Sequence, residues 1–137
     1  MAKVYLKRRE RFSASHRLHA EGLSQEENIK IYGKCNNKNG HGHNYEMFVT
    51  IAAEINSVTG MVLNIEDLKE IIRSGVVEKV DHKHLNHDVE FLRGINPTAE
   101  NLVVAFWREL APLLPQGSLY EVTVVETENN RVSYFGE

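Results

Sequence analysis

Residues 40–55 read GHGHNYEMFVTIAAEI, and the run from Gly42 to Ile55 decides the fold. Phe48, Val49, Thr50 and Ile51 favour an extended strand. His41 and His43 stand at its head, and residues two apart in a strand project from one face, about 6.5 to 7 Å apart at Cα. Two imidazoles so placed can converge on one ion, and Gly42 between them permits close backbone approach. Working upstream, Leu18 to Gly40 is polar, with SQEEN and then KCNNKNG, whose Asn and Gly suit turns; a long loop is expected there, of the kind that is often functional. Before it, Phe12, Ala14 and His16 share one face at period two while Arg11, Ser13 and Ser15 share the other, which predicts a strand over Lys3 to Ser15 ending near His16.

Downstream, Asn56 to Gly60 (NSVTG) reads as a turn, after which MVLNI returns antiparallel as a short third segment. Asn64 sits where an N-cap belongs, and Ile65, Leu68, Ile72 and Val76 recur at spacings of three and four, predicting a helix from about 65 to 79. Asn96-Pro97-Thr98 stops one segment and caps the next, a second helix that carries Leu102, Phe106 and Leu110 on one face and runs to about Ala111, before Pro112 and Pro115. Leu119 to Thr127 alternates, with Tyr120, Val122, Val124 and Glu126 on one side, and Arg131 to Phe135 follows the turn ENN as a terminal hairpin. The order strand, strand, helix, helix, strand, strand implies an α+β layer: a four-stranded antiparallel sheet with two helices on one face. Its open edges need covering, so pairing with another subunit is expected.

The 137 residues carry no repeat or linker, so one domain spans 1–137. Lys and Arg total 16 against 19 Asp and Glu, a net charge of −3 that offers no general attraction for nucleic acid or acidic lipid. No run approaches the ~18 apolar residues of a membrane-spanning helix. A single Cys excludes an internal disulfide, and the opening MAKVYLKRRERF lacks a signal-peptide stretch, so a reducing, cytoplasmic compartment is expected.

Seven His are the compositional oddity. If the first two strands pair across the loop, His16 faces the same point as His41 and His43, and three neutral imidazoles with an open fourth position describe a catalytic zinc site. The bland alternative is core or exposed histidines without metal. Cys35 has three readings: a base or nucleophile whose pKa a nearby dication lowers, a fourth ligand that closes a structural site, or an inert buried thiol. Asp81-His82 is either a relay in which the carboxylate fixes the imidazole tautomer, or a polar helix C-terminus. Glu126 is either a rim charge or a carboxylate aimed into a pocket, where it suits a ligand with adjacent N–H donors such as a 2-amino-4-oxo pyrimidine ring.

The segments FSASHRL, GKCNNKNGHGHNY, TGMVLNIEDLK, VDHKHLN and VVETENN occur in an order that resembles the 6-pyruvoyl-tetrahydropterin synthase family over almost the whole chain. The resemblance implies the tunnelling fold, in which trimers close a twelve-stranded barrel and two trimers stack into a homohexamer with active sites between subunits. It implies His16, His41 and His43 as ligands of one Zn2+ per subunit, Cys35 as proton acceptor, Asp81 and His82 as a relay and Glu126 as the pterin anchor and part of that relay. Thr98 and Glu100 match a region that helps to hold the pterin. The implied reaction converts 7,8-dihydroneopterin triphosphate to 6-pyruvoyl-tetrahydropterin with loss of triphosphate, aided by Mg2+. The same superfamily includes 6-carboxy-tetrahydropterin synthases of queuosine biosynthesis, which act on the same substrate. Their usual C-x3-H-G-H is shorter than the five residues that separate Cys35 from His41, and the longer spacing favours the pyruvoyl product. A non-catalytic zinc-stabilised module is the alternative from another class.

Overall fold

Two long strands form the spine of the computed structural model, which describes residues 2–137. Strand β1 (Lys3–His16) pairs antiparallel with β2 (His41–Glu54), and His16 lies directly opposite His41, Ala14 opposite His43 and Phe12 opposite Tyr45. Strand β4 (Leu119–Thr127) adds to the free side of β2, and β5 (Asn130–Tyr134) closes the terminal hairpin against β4.

The expected four-stranded antiparallel sheet is corrected to five strands of mixed direction, in the order β3-β1-β2-β4-β5. The additional strand, β3 (Lys83–His84), is two residues long and runs parallel to β1, pairing Ala14 with Lys83 and Ser15 with His84. So short an edge strand has no periodicity to read. The short segment expected at MVLNI is not a strand: residues 61–64 bend towards the helix that Asn64 caps, its side chain accepting from Glu66 N at 2.9 Å.

That helix, α2 (Ile65–Ile72), continues through a π turn at Arg73–Val77 into α3 (Glu78–Val80), so the predicted span is helical throughout, with one widened turn. The loop expected between Leu18 and Gly40 holds a further helix, α1 (Gln25–Tyr32), and a 3-10 turn at Gly33–Asn36. Ser24 and Glu27 make a reciprocal capping box at its start: Glu27 N donates to Ser24 Oγ and Ser24 N to Glu27 Oε1. α1 lacks an apolar stripe and is held instead by buried Asn28, which bonds Ala20, Leu23 and Ser24. The last helix, α4 (Ala99–Leu110), begins where Thr98 accepts from Asn101 N at 3.1 Å.

Phe12, Tyr45, Met47, Val49, Ile51, Val122 and Val124 form one sheet face and pack against Leu68, Ile72, Val76, Leu102, Phe106 and Leu110 of the helices. α2 and α4 therefore cover the same face, as the apolar periodicities require. His16 extends this face: in step with Phe12 and Ala14, it is fully buried at the end of β1.

Candidate functional site

The antiparallel register places three imidazoles at one corner of the sheet. His16 and His41 face each other across the β1–β2 ladder, and His43 follows on the same face of β2. One nitrogen from each ring lies within 4.8 Å of the other two, and the ring centroids are 4.7 to 5.1 Å apart. Close approach at the turn into β2 depends on Gly40, at φ 79°, where a Cβ would meet His16 O and His84 Nε2 at 3.0 Å. A Cβ on Gly42 would make only an ordinary contact, 3.6 Å from Ala14 O, so the tight position is Gly40 rather than the glycine between the two histidines.

The electronic state of the cluster follows from its partners. His16 Nδ1 donates to Pro97 O at 2.8 Å, which leaves Nε2 with its lone pair. Burial, first, and the neighbouring His41 and His43 push the His16 pKa down to about 4 against that hydrogen bond. Burial and His43 also lower His41. Buried His16 Nε2, both ring nitrogens of His41 and His43 Nε2 have no hydrogen-bond partner among the described residues. Orphaned ring nitrogens that converge and resist protonation form a donor set able to hold a metal ion, and nitrogen donors suit Zn2+.

Glu126, near the end of β4, brings Oε1 to 3.3 Å from His43 Nε2 without hydrogen-bond geometry. Its carboxylate therefore points towards the cradle. Cys35, in the turn after α1, is partly buried and is not among the converging ligand atoms, a placement that does not support a closed four-ligand site. Burial and then the Glu126 carboxylate push its thiol above the ordinary value. The protein's own groups thus favour the thiol, and only a cation can favour the thiolate.

Asp81 Oδ1 accepts from Ser13 N at 2.9 Å and lies 3.1 Å from His82 Nδ1. The pair is real, but the His82 side chain is 83% exposed. His82 takes φ 62°, the one left-handed non-glycine residue among those described. It lines an open cavity of about 520 Å3 together with His43, Ser13, Ser15 and Asn44. Thr98 is committed to capping α4, next to Pro97, and Glu100 is exposed in the first turn. Sequence reasoning missed Tyr45, whose hydroxyl lies 3.3 Å from His16 Nδ1, and Asn36, which organises the chain around Cys35. Tyr45 was within reach, two residues beyond His43 on the same strand face; the role of Asn36 had no local signal.

The pattern of the family described as 6-pyruvoyl tetrahydropterin synthase matches residues 5–137. The human protein named 6-pyruvoyl tetrahydrobiopterin synthase is 51% identical over 130 residues, which cover 95% of this chain and 90% of that one. The Dictyostelium discoideum protein of the same name is 52% identical over 134 residues, covering 98% and 97%. A structure of Caenorhabditis elegans 6-pyruvoyl tetrahydropterin synthase, 41% identical, superposes with a TM-score of 0.95 and covers 100% of this chain and 98% of that one. A match of this extent in both sequence and backbone leaves no segment of the fold unaccounted for: the chain belongs to the 6-pyruvoyl tetrahydropterin synthase family.

Proposed function

We propose that this protein is a zinc-dependent lyase that converts 7,8-dihydroneopterin triphosphate to 6-pyruvoyl-tetrahydropterin, releasing triphosphate with no external redox cofactor. The observation that carries the reading is the convergence of His16, His41 and His43, their nitrogens unpaired and within 4.8 Å of one another, in a chain of this family.

His16 Nε2 and a ring nitrogen from each of His41 and His43 would hold the metal. Zinc there supplies Lewis-acid polarisation of the substrate's side-chain hydroxyls, which acidifies the adjoining C–H and O–H groups. Glu126 anchors the pterin through its adjacent N–H donors, a bidentate pairing that fixes the ring's orientation. Cys35 accepts a proton from side-chain carbon, and Asp81 orients His82 to carry proton traffic on another face. Thr98 and Glu100 help to hold the pterin at the start of α4. Mg2+ accompanies the triphosphate and offsets its charge.

The active unit is a homohexamer of two trimers with sites between subunits, in the cytoplasm. Three features support the assembly. The protomer exposes 8385 Å2, more than the ~7,300 Å2 expected of a compact monomer of this mass. Tyr5, Tyr120 and Phe135 form an exposed aromatic cluster, with centroids 4.7 and 5.6 Å apart. The third is the His82 side chain, 83% exposed in the protomer and free for contact with a neighbour. No helix among the described residues is long and apolar enough to cross a membrane.

The test is incubation of the zinc-loaded protein with 7,8-dihydroneopterin triphosphate and identification of products by mass. A 6-pyruvoyl pterin with equimolar triphosphate is expected. Acetaldehyde with a 6-carboxy pterin would assign the queuosine-route reaction instead, and unchanged substrate would overturn the reading.

A further inference from the structure

We propose that Asn36 is the positioning residue that sets Cys35 against the imidazole cradle, an inference that rests on Cys35 being the proton acceptor. β1 ends at His16, yet the next two residues are still held as if in a sheet, by side chains in place of strands. Arg17 N donates to Asn86 Oδ1 and Asn86 Nδ2 donates back to Arg17 O, both at 2.8 Å. Leu18 is held by the cysteine segment: Leu18 N donates to Cys35 O at 2.9 Å, and Leu18 O accepts from Asn36 Nδ2 at 2.7 Å.

Asn36 is 4% exposed. The second hydrogen of its amide reaches His19 Nδ1 at 3.1 Å, and its main-chain oxygen accepts from Arg17 Nε at 3.1 Å. Gln25 Nε2 donates weakly to Asn36 Oδ1 at 3.4 Å. Both amide hydrogens are thus committed, and turning the amide over would set oxygen against Leu18 O. Cys35 itself belongs to a single 3-10 turn, Gly33–Asn36, too short to hold its own geometry. Two bonds therefore tie the cysteine turn to the chain just after His16, the main-chain bond from Leu18 N to Cys35 O and the Asn36 amide on Leu18 O, and neither uses a metal ligand. Since small misplacements of a catalytic group are costly in rate, this clamp acts on turnover rather than on metal affinity.

Asn36→Leu keeps a similar volume and removes the donor without adding a charge beside the thiol; Asn36→Ser, smaller and still a donor, is read should the leucine variant not fold. Asn28→Ala is the structural control, because Asn28 lies in the same segment but bonds only Ala20, Leu23 and Ser24. The measurements are kcat and KM with 7,8-dihydroneopterin triphosphate, zinc retained under chelator competition, and the rate of Cys35 alkylation by iodoacetamide. Asn36→Leu should lower kcat about 10- to 100-fold, leave KM within about threefold and zinc unchanged, and speed alkylation at least about fivefold; Asn36→Ser should fall between it and the parent. Asn28→Ala should lower the melting temperature while leaving alkylation at the parent rate. Parent-like alkylation and kcat in Asn36→Leu, or in Asn36→Ser where that is the variant read, or reproduction of both changes by Asn28→Ala, would overturn the proposal. Should Cys35→Ala turn over normally, the proton-acceptor reading fails on its own, and the alkylation rates still decide whether Asn36 places the thiol.

Discussion

His16 Nδ1 donates to the carbonyl oxygen of Pro97 at 2.8 Å, across 81 positions of the chain. A carbonyl can only accept, so the proton sits on Nδ1 and Nε2 keeps its lone pair for the cradle. The bond also ties the cradle to the start of α4, since Pro97 precedes the capping residue Thr98. The imidazole cradle and the helix layer are thus one mechanical unit.

His41→Ala should lower zinc affinity about 100-fold or more while leaving the fold intact, because His41 is only partly buried and its nitrogens bond nothing else among the described residues. Chelator competition reads the affinity and circular dichroism the fold. Full zinc retention would remove His41 from the ligand set.

The lowered His16 pKa makes chelator-treated protein acid-sensitive. The unfolded chain takes up a proton near 6.5 and the folded one only near about 4, so the contribution is complete above the first value. It is lost progressively as pH falls from about 6.5 towards about 4, by on the order of 3 kcal/mol. Urea unfolding at pH 7 and pH 5 measures it, and His16→Asn should flatten the difference.

Cys35→Ala should retain stoichiometric zinc and the parent melting temperature yet lose turnover, as a proton acceptor outside the converging ligand set must. Elemental analysis beside a product assay separates the outcomes; loss of zinc would instead make the sulfur a ligand.

Glu126→Ala should weaken pterin binding at least about tenfold, the worth of a lost charge-assisted pair. Metal content should hold, since Glu126 approaches His43 at 3.3 Å without a hydrogen bond. Titration with a non-reactive pterin checks this, and unchanged affinity would count against the anchor.

Thr98→Ala should cost about 1 kcal/mol by removing the α4 cap, and Thr98→Ser should restore it. If Thr98 also holds pterin, alanine raises KM beyond what the fall in stability explains, and serine restores both.

Period-two and period-three-to-four patterns determined both long strands, the capped starts of α2 and α4, the terminal hairpin and most of the faces they bury, because such patterns are local; Tyr120, expected beside Val122 and Val124, is instead exposed against Tyr5, because a bulge in the β2–β4 pairing breaks the alternation there. They also put His41 and His43 on one face, and the motif order in one chain pointed to the family that the comparisons then showed. The register that sets His16 opposite His41, the two-residue strand β3 and the side-chain clamps on Arg17 and Leu18 arise from contacts between residues far apart in sequence. The segment 18–40 read as loop because α1 buries so little apolar surface; only the folded chain shows the Ser24 capping box and the bonds of Asn28 that hold the helix. Likewise the thiol's raised pKa and the tautomer of His16 depend on which charges and carbonyls folding brings near. Spacing along the chain therefore named the chemistry, and distance through the fold alone decided how its parts are aimed.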